Sequence, residues 1–230
     1  MQDWGRTMAD WQHPSRDAKG RQFVTTSSPP LAARPIPPLV DRPSVSIRFD
    51  GGSVVATLRL DRGEHRRRSA EGIGALTSRA LLHGLWLLPA GVPVPASQLP
   101  DVKLDRLRAT RGCITEADHS LVRTYSPPGT VDRLTFEGPQ PRSLLRRAIR
   151  STPIFERNVV IRSQEPITID SRTRAEALEW GVGITIACHD RTDGIVPVAA
   201  ATLGVPSVYR WWVAELAYEA ALYENAQLLS

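Results

Sequence analysis

Cysteine is nearly missing from this 230-residue chain: Cys113 and Cys188 are the only two. Two cysteines make neither a disulfide framework nor a complete structural zinc site, and they point to a reducing compartment. Lysine is as scarce, at Lys19 and Lys103, and so is asparagine, at Asn158 and Asn225. Long apolar runs are missing too. The most apolar stretch, Ala80 to Ala96, is broken by His83, Pro89, Pro93 and Pro95, whereas a bilayer span needs roughly 20 apolar residues. Met1 to Pro14 places Trp4 and Trp11 among polar and charged groups, with nothing resembling a secretion signal. From these absences a soluble, cytoplasmic protein is expected. A chain of this length buries most of its surface and needs no disulfide or metal staple.

What the chain has instead is arginine, 27 of them, unevenly placed. Residues 1–162 carry 25 Arg and Lys against 15 Asp and Glu, while residues 163–230 carry 4 against 9. A genome rich in G and C raises arginine at the expense of lysine whatever the function, but it does not polarise the two ends of a chain. A basic body with an acidic end suits phosphates or carboxylates as partners, because the guanidinium fork matches both.

The first 43 residues contain seven prolines, including Pro29-Pro30 and Pro35-Ile36-Pro37-Pro38, and no periodic apolar face. They read as an extended arm in which Trp4, Trp11 and Phe23 could anchor on a partner. Residues 44–230 read as a single domain, with a basic body (44–162) and an acidic C-terminal part (163–230). Val45, Ile47 and Phe49 alternate with polar residues before Asp50-Gly51-Gly52, and Val54 to Leu60 follow, which predicts a β-hairpin. A polar loop is expected from Asp61 to Ser69, then a helix capped by Ser69 and ended by Pro89. Residues 102–110 fit neither period. Ser120–Tyr125 and Val131–Phe136 look like strands around the turn Ser126-Pro127-Pro128-Gly129. Pro141–Arg150 reads as a helix with proline in its first turn, Ile154–Arg162 and Pro166–Ile169 as strands, and Asp170 or Ser171 to Trp180 as a helix stopped by Gly181. Val182–Ile186 and Ile195–Thr202 read as two more strands around a turn. A long aromatic helix from Gly204 or Pro206 to about Leu228 closes the chain. The expected fold is α+β: a mainly antiparallel sheet built from β-hairpins, with three or four helices.

Several local patterns bear chemistry-capable residues. Cys188-His189-Asp190 has the residue types of a catalytic triad, but neighbours in a strand point to opposite faces, so Cys188 and His189 cannot pair. Cys113, Glu116, Asp118 and His119 could contribute to a divalent metal site, yet nothing matches a zinc spacing, and the stretch serves equally as a polar loop before a strand. Gly72-Ile73-Gly74 is too short for a phosphate cradle. Glu215 and Glu219 could be paired acids, the solvated seam of the last helix, or partners for distant arginines. No residue set reads as catalytic, and no metal or cofactor is expected.

The positive clusters are the stronger lead. His65-Arg66-Arg67-Arg68 is the densest, Arg142, Arg146, Arg147 and Arg150 form a second, and Arg106, Arg108 and Arg111 a third. Positions 142, 146 and 150 fall on one helix face. The expected function is a non-catalytic, nucleic-acid-associated subunit of a larger assembly, gripping RNA or DNA by its phosphates through these ten arginines. In the final helix, Trp211, Trp212, Tyr218 and Tyr223 leave two apolar stripes where a surface helix needs one, so a protein interface or self-association is expected there. Two rivals remain: a hydrolase or transferase using His65, His83 or His119 with distant carboxylates, and a protein-only scaffold.

Overall fold

The predicted opening hairpin forms an edge of the main sheet. Strand β1 (Ser44–Phe49) turns through Asp50 and Gly51, at φ 48° and 73°, onto β2 (Gly52–Leu60). Both turn residues have the positive φ that a two-residue hairpin loop demands, and Asp-Gly supplies it at little cost. The protein is described from a computed structural model covering residues 39–99, 104–151, 153–165, 167–188, 191–200 and 207–228. The expected anchors Trp4, Trp11 and Phe23 lie outside these residues. From the end of the expected arm, the carbonyls of Asp41 and Pro43 accept the N–H groups of Leu60 and Leu58, both at 3.0 Å.

The chain is α+β, and its main sheet is mixed. β6 (Gly129–Gly138) runs antiparallel to β2 but parallel to β7 (Glu156–Ser163), which is parallel to β8 (Val182–Cys188). β9 (Arg191–Val196) returns antiparallel, which completes the order β1-β2-β6-β7-β8-β9. The expectation of a mainly antiparallel sheet built from hairpins therefore fails at the centre. There, helices α4 (Pro141–Arg150) and α5 (Ser171–Glu179) carry the chain back between successive strands. A strand-helix-strand-helix-strand order is the signature of such crossovers. Gly129 lets β6 enter the sheet, because a Cβ there would collide with the carbonyl of Arg59 on β2.

Between β2 and β6 lies a second layer whose elements differ from those expected. Helix α1 (Arg62–Glu71) starts at Asp61, whose carboxylate accepts from the backbone of Gly63 and Glu64, and ends at Gly72 in the left-handed region. The expected polar loop from Asp61 to Ser69 is thus mostly helix. Helix α2 (Arg79–Trp86) is separate and is capped by Ser78. Strands β3 (Val94–Pro95), β4 (Ile114–Ala117) and β5 (Ser120–Arg123) form a three-stranded sheet in the order β3-β5-β4, with α3 (Leu104–Ala109) alongside. β5 and β6, expected to pair across Ser126–Gly129, belong to different sheets. β5 pairs instead with β4 around Asp118 and His119, at φ 49° and 60°. Residues 167–169 form no strand. With α6 (Val208–Leu228), the described residues hold six α-helices rather than three or four.

Helices α4, α5 and α6 cover one face of the main sheet. The in-register set Val45, Ile47, Val54, Ala56, Leu134, Phe136, Val159, Ile161, Val182 and Ile184 is buried beneath them. Arg157 stands in the same row, paired with no carboxylate among the described residues. It donates instead to the carbonyls of Ala148 and Ser151 at the end of α4 and of Trp180 at the end of α5, so one cation caps two helices. A second core gathers Leu82, Leu85, Leu88, Leu107, Leu121 and Tyr125 under the small sheet. The last helix serves both: Val213, Ala214, Ala217 and Tyr218 face the first core and Trp211 the second.

Candidate functional site

Where the two cores meet, α1 and α6 bring three buried charged side chains together, Arg68, Glu64 and Glu215, with Arg67 half-buried beside them. Arg68 has no exposed surface, and neither has Glu215. The guanidinium donates from Nη1 to Glu215 Oε2 and from Nη2 to Glu215 Oε1, both at 2.9 Å, and from Nε to Glu64 Oε1 at 2.9 Å. A further bond from Nη2 reaches the carbonyl of Ser126. The guanidinium carbon lies 3.9 Å from the ring centre of Tyr125 and 5.1 Å from that of Tyr218, so the charge is also flanked by π-faces. Arg67 adds bonds to both Glu64 oxygens, at 2.9 and 2.8 Å.

Glu215 is saturated. Besides Arg68 it accepts from the Tyr125 hydroxyl at 3.1 Å, the Leu76 backbone N–H at 2.9 Å and Trp211 Nε1 at 2.9 Å. Burial alone would drive Arg68 toward neutrality, but Glu215 and Glu64 outweigh it and hold its pKa above the ordinary arginine value. Burial also pushes the Glu64 carboxyl up, yet its bonds to Arg67 and Arg68 win and hold it below the ordinary glutamate range. Two acids thus face two arginines, and Glu215 accepts five hydrogen bonds. Such a cluster fixes structure, since a carboxylate with five donors has no free electron pair for a substrate proton. His65, 7% exposed, joins through Nδ1 to the Tyr218 hydroxyl at 3.0 Å.

This geometry corrects several expectations. Arg68 cannot meet phosphate, and Arg67 is half-buried and committed to Glu64 and Glu71; within the first cluster only Arg66 is exposed. Glu215 could have signalled this, because it falls among the apolar residues Val213, Ala214, Leu216 and Ala217 of α6, and an acid buried there requires a cation. Glu215 is therefore a partner for a distant arginine, while Glu219 is exposed. Trp211, 2% exposed, and Tyr218, 0% exposed, are core residues of this chain and not interface residues. Trp212 is half-buried, donates to the Thr77 carbonyl at 3.0 Å and packs against Phe49 and Tyr209. Only Tyr223 of the four stands exposed.

Of the third cluster, Arg106 and Arg111 are exposed, and Arg108 is paired with Glu116 through two bonds, at 3.0 and 2.8 Å. Cys113 is fully buried, and burial pushes its thiol up to about 12. Asp118 and His119 are hairpin turn residues, so the Cys113–His119 stretch is a buried anchor followed by a turn. Among the described residues no three His, Cys, Asp or Glu gather as a metal site. His83 and His119 are exposed on separate elements. Cys188 is half-buried, its thiol 3.7 Å from the Gln164 carbonyl, and His189 and Asp190 lie outside the described residues.

Three of the four arginines of the second cluster share one exposed helix face. α4 buries Leu144, Leu145 and Ala148 against the sheet and turns Arg142, Arg146 and Arg150 outward. Arg147 leans inward instead, its guanidinium carbon 5.6 Å from the Phe136 ring centre and its Nη2 3.3 Å from the Ser53 carbonyl. α5 lies alongside, and Arg142, Arg146 and Arg172 line one shallow groove with Thr173 and Glu176. Asp170, 3.5 Å from Arg142, and Glu176 in the groove itself are nearby counter-charges. A separate pocket opens where α6 begins, between Trp86, Pro127, Thr130, Ser207, Arg210 and Trp211.

No family model, curated protein or solved structure matches the chain. No helix among the described residues is long and apolar enough to cross a membrane.

Proposed function

We propose that the protein is a cytoplasmic, non-catalytic subunit that binds the phosphate backbone of nucleic acid through the outer face of α4. One observation carries this reading: Arg142, Arg146 and Arg150 stand exposed in a single row, joined at one end by Arg172 of α5. Residues four apart on a helix rise about 6 Å, so the row presents regularly spaced guanidinium forks to a regularly charged polymer. Phosphate contacts of this kind position a protein without reading sequence, and RNA and DNA both supply them. Arg66, Arg106 and Arg111 are exposed enough to add to the field, whereas Arg67, Arg68 and Arg108 already have carboxylates. The protein contact expected of α6 falls to Tyr223, since Trp211 and Tyr218 pack inside the chain.

The test is a binding titration of the wild type and of Arg142→Gln/Arg146→Gln/Arg150→Gln against unrelated nucleic-acid sequences at low salt. The triple variant should lose affinity by a similar factor for every sequence. Equal affinity of variant and wild type would remove α4 from the site.

A further inference from the structure

Four of the six large apolar side chains that stand exposed among the described residues fall in two places. Leu87 and Val92 flank the tight turn after α2, where Pro89, Ala90 and Pro93 are exposed as well. The turn is held in shape: the Val92 N–H donates to the Pro89 carbonyl at 3.4 Å and the Gly91 N–H to the Arg123 carbonyl at 3.2 Å. No Asp or Glu occurs between Glu71 and Asp101. Arg123, on the strand beside this turn, donates to the Leu85 carbonyl at 3.1 Å, but its Nε is buried without an acceptor. No carboxylate among the described residues pairs with it, and burial lowers its pKa, whereas Glu215 and Glu64 raise that of Arg68. An exposed apolar surface around a half-buried cation without its anion is a surface that lacks a partner.

The second place is the end of α5. Leu178 and Trp180 stand exposed there, and so does Glu179 between them in the chain. These residues belong to the part of the chain that carries 4 Arg and Lys against 9 Asp and Glu. One surface thus offers apolar side chains with a cation, the other apolar side chains with an acid. Within one chain they lie apart. α5 packs on β8 and β9 at one edge of the main sheet, whereas α2 packs on α6, which lies on β1, β2 and β6.

We infer that the end of α5 of one copy docks on the turn after α2 of the next, Leu178 and Trp180 covering Leu87 and Val92 while Glu179 brings Arg123 its carboxylate. Tryptophan and arginine are the residue types that dominate binding energy at such contacts. The two surfaces differ, so the contact is head-to-tail: each added copy keeps one surface of each kind free, and association continues into rings or chains. Two apolar side chains on each side make a small interface, which places the association among weak, concentration-dependent ones. It stands independently of the nucleic-acid reading, since neither surface includes the α4 row.

The test is analytical ultracentrifugation of the full chain, freed of nucleic acid, over a range of concentrations. The average mass of the wild type should rise with concentration. Val92→Arg spoils the turn and Leu178→Asp spoils the end of α5, both at exposed positions, and each variant alone should keep the mass of one chain. Mixed in equal amounts, the two variants should form a species of two chains and no larger, because each supplies the surface the other lacks. A wild type that keeps the mass of one chain at every concentration would overturn the inference. So would variants that associate as the wild type does, or a mixture in which no two-chain species forms. The wild-type measurement stands whether or not either variant folds.

Discussion

Arg68 and Glu215, 147 residues apart in sequence, close a two-armed ion pair at 2.9 Å on each arm, with neither side chain exposed to water. The pair ties α1 to α6 where the two cores meet. It is the reason the densest basic run in the sequence is not a surface patch. Arg68 is held by two carboxylates, a backbone carbonyl and two aromatic faces.

Breaking this pair should be among the most damaging single changes in the protein. Arg68→Met leaves Glu215 buried without its cation, and Glu215→Gln leaves Arg68 without its main anion. Each should cost about 3–5 kcal/mol in urea denaturation. Replacing both at once, Arg68→Met with Glu215→Leu, should not restore stability. Trp211 and the Leu76 amide would lose their acceptor, at about 1–3 kcal/mol for each group left unsatisfied, and the Tyr125 hydroxyl would keep only the Gly74 carbonyl at 3.4 Å. A double variant as stable as the wild type would show that those donors find other partners.

Acid should loosen the same cluster. The Glu64 carboxyl is held below the ordinary glutamate value of 4.5, so the folded chain binds its proton less readily than the unfolded chain. The stability this provides is complete above about pH 4.5 and is lost as the pH falls through the lower folded-state value. Denaturation midpoints measured between pH 7 and 3 should therefore drop below about 4.5. Glu64→Gln should start from a lower midpoint at neutral pH and fall less steeply with acid. A variant with the wild-type pH dependence would exclude Glu64 as a contributor.

The two thiols should behave differently. Cys113 is buried, with its thiol pushed up to about 12, so at pH 8 it is protonated and shielded. A thiol reagent should modify Cys188 in the native state and Cys113 only on unfolding. Cys188→Ala should cost modest stability and leave nucleic-acid binding intact. Rapid native labelling of Cys113 would contradict the packing described for the second core.

Legibility in the sequence followed the presence of an apolar pattern. The β1–β2 hairpin, α4 and α5 were readable because alternation, a proline start or an aspartate cap marked them. α1 was not, because the side it buries is charged: Glu64, His65 and Arg68 face inward. Asp61, Glu64 and Gly72 still carried start and stop signals for a helix, which outrank the polar composition between them. The three central strands were legible, but their parallel pairing was not, because alternation marks a strand without marking its direction or its neighbour. In α6 both apolar stripes were visible. Assigning one to a partner failed because the chain builds two cores, one on each side of that helix. The row of Arg142, Arg146 and Arg150 was legible from spacing alone. The Trp86–Trp211 pocket was not, since it joins residues from two distant helices.

The measurement that bears most directly on the proposed function is the salt dependence of nucleic-acid affinity, for the wild type and for Arg142→Gln/Arg146→Gln/Arg150→Gln. Each phosphate neutralised on a single strand contributes about 0.7 to the slope of log affinity against log salt. Without the α4 arginines the slope should therefore flatten by about 2, with the thermal midpoint of the protein unchanged. An identical slope for the two proteins, or no binding by the wild type at low salt, would contradict the account.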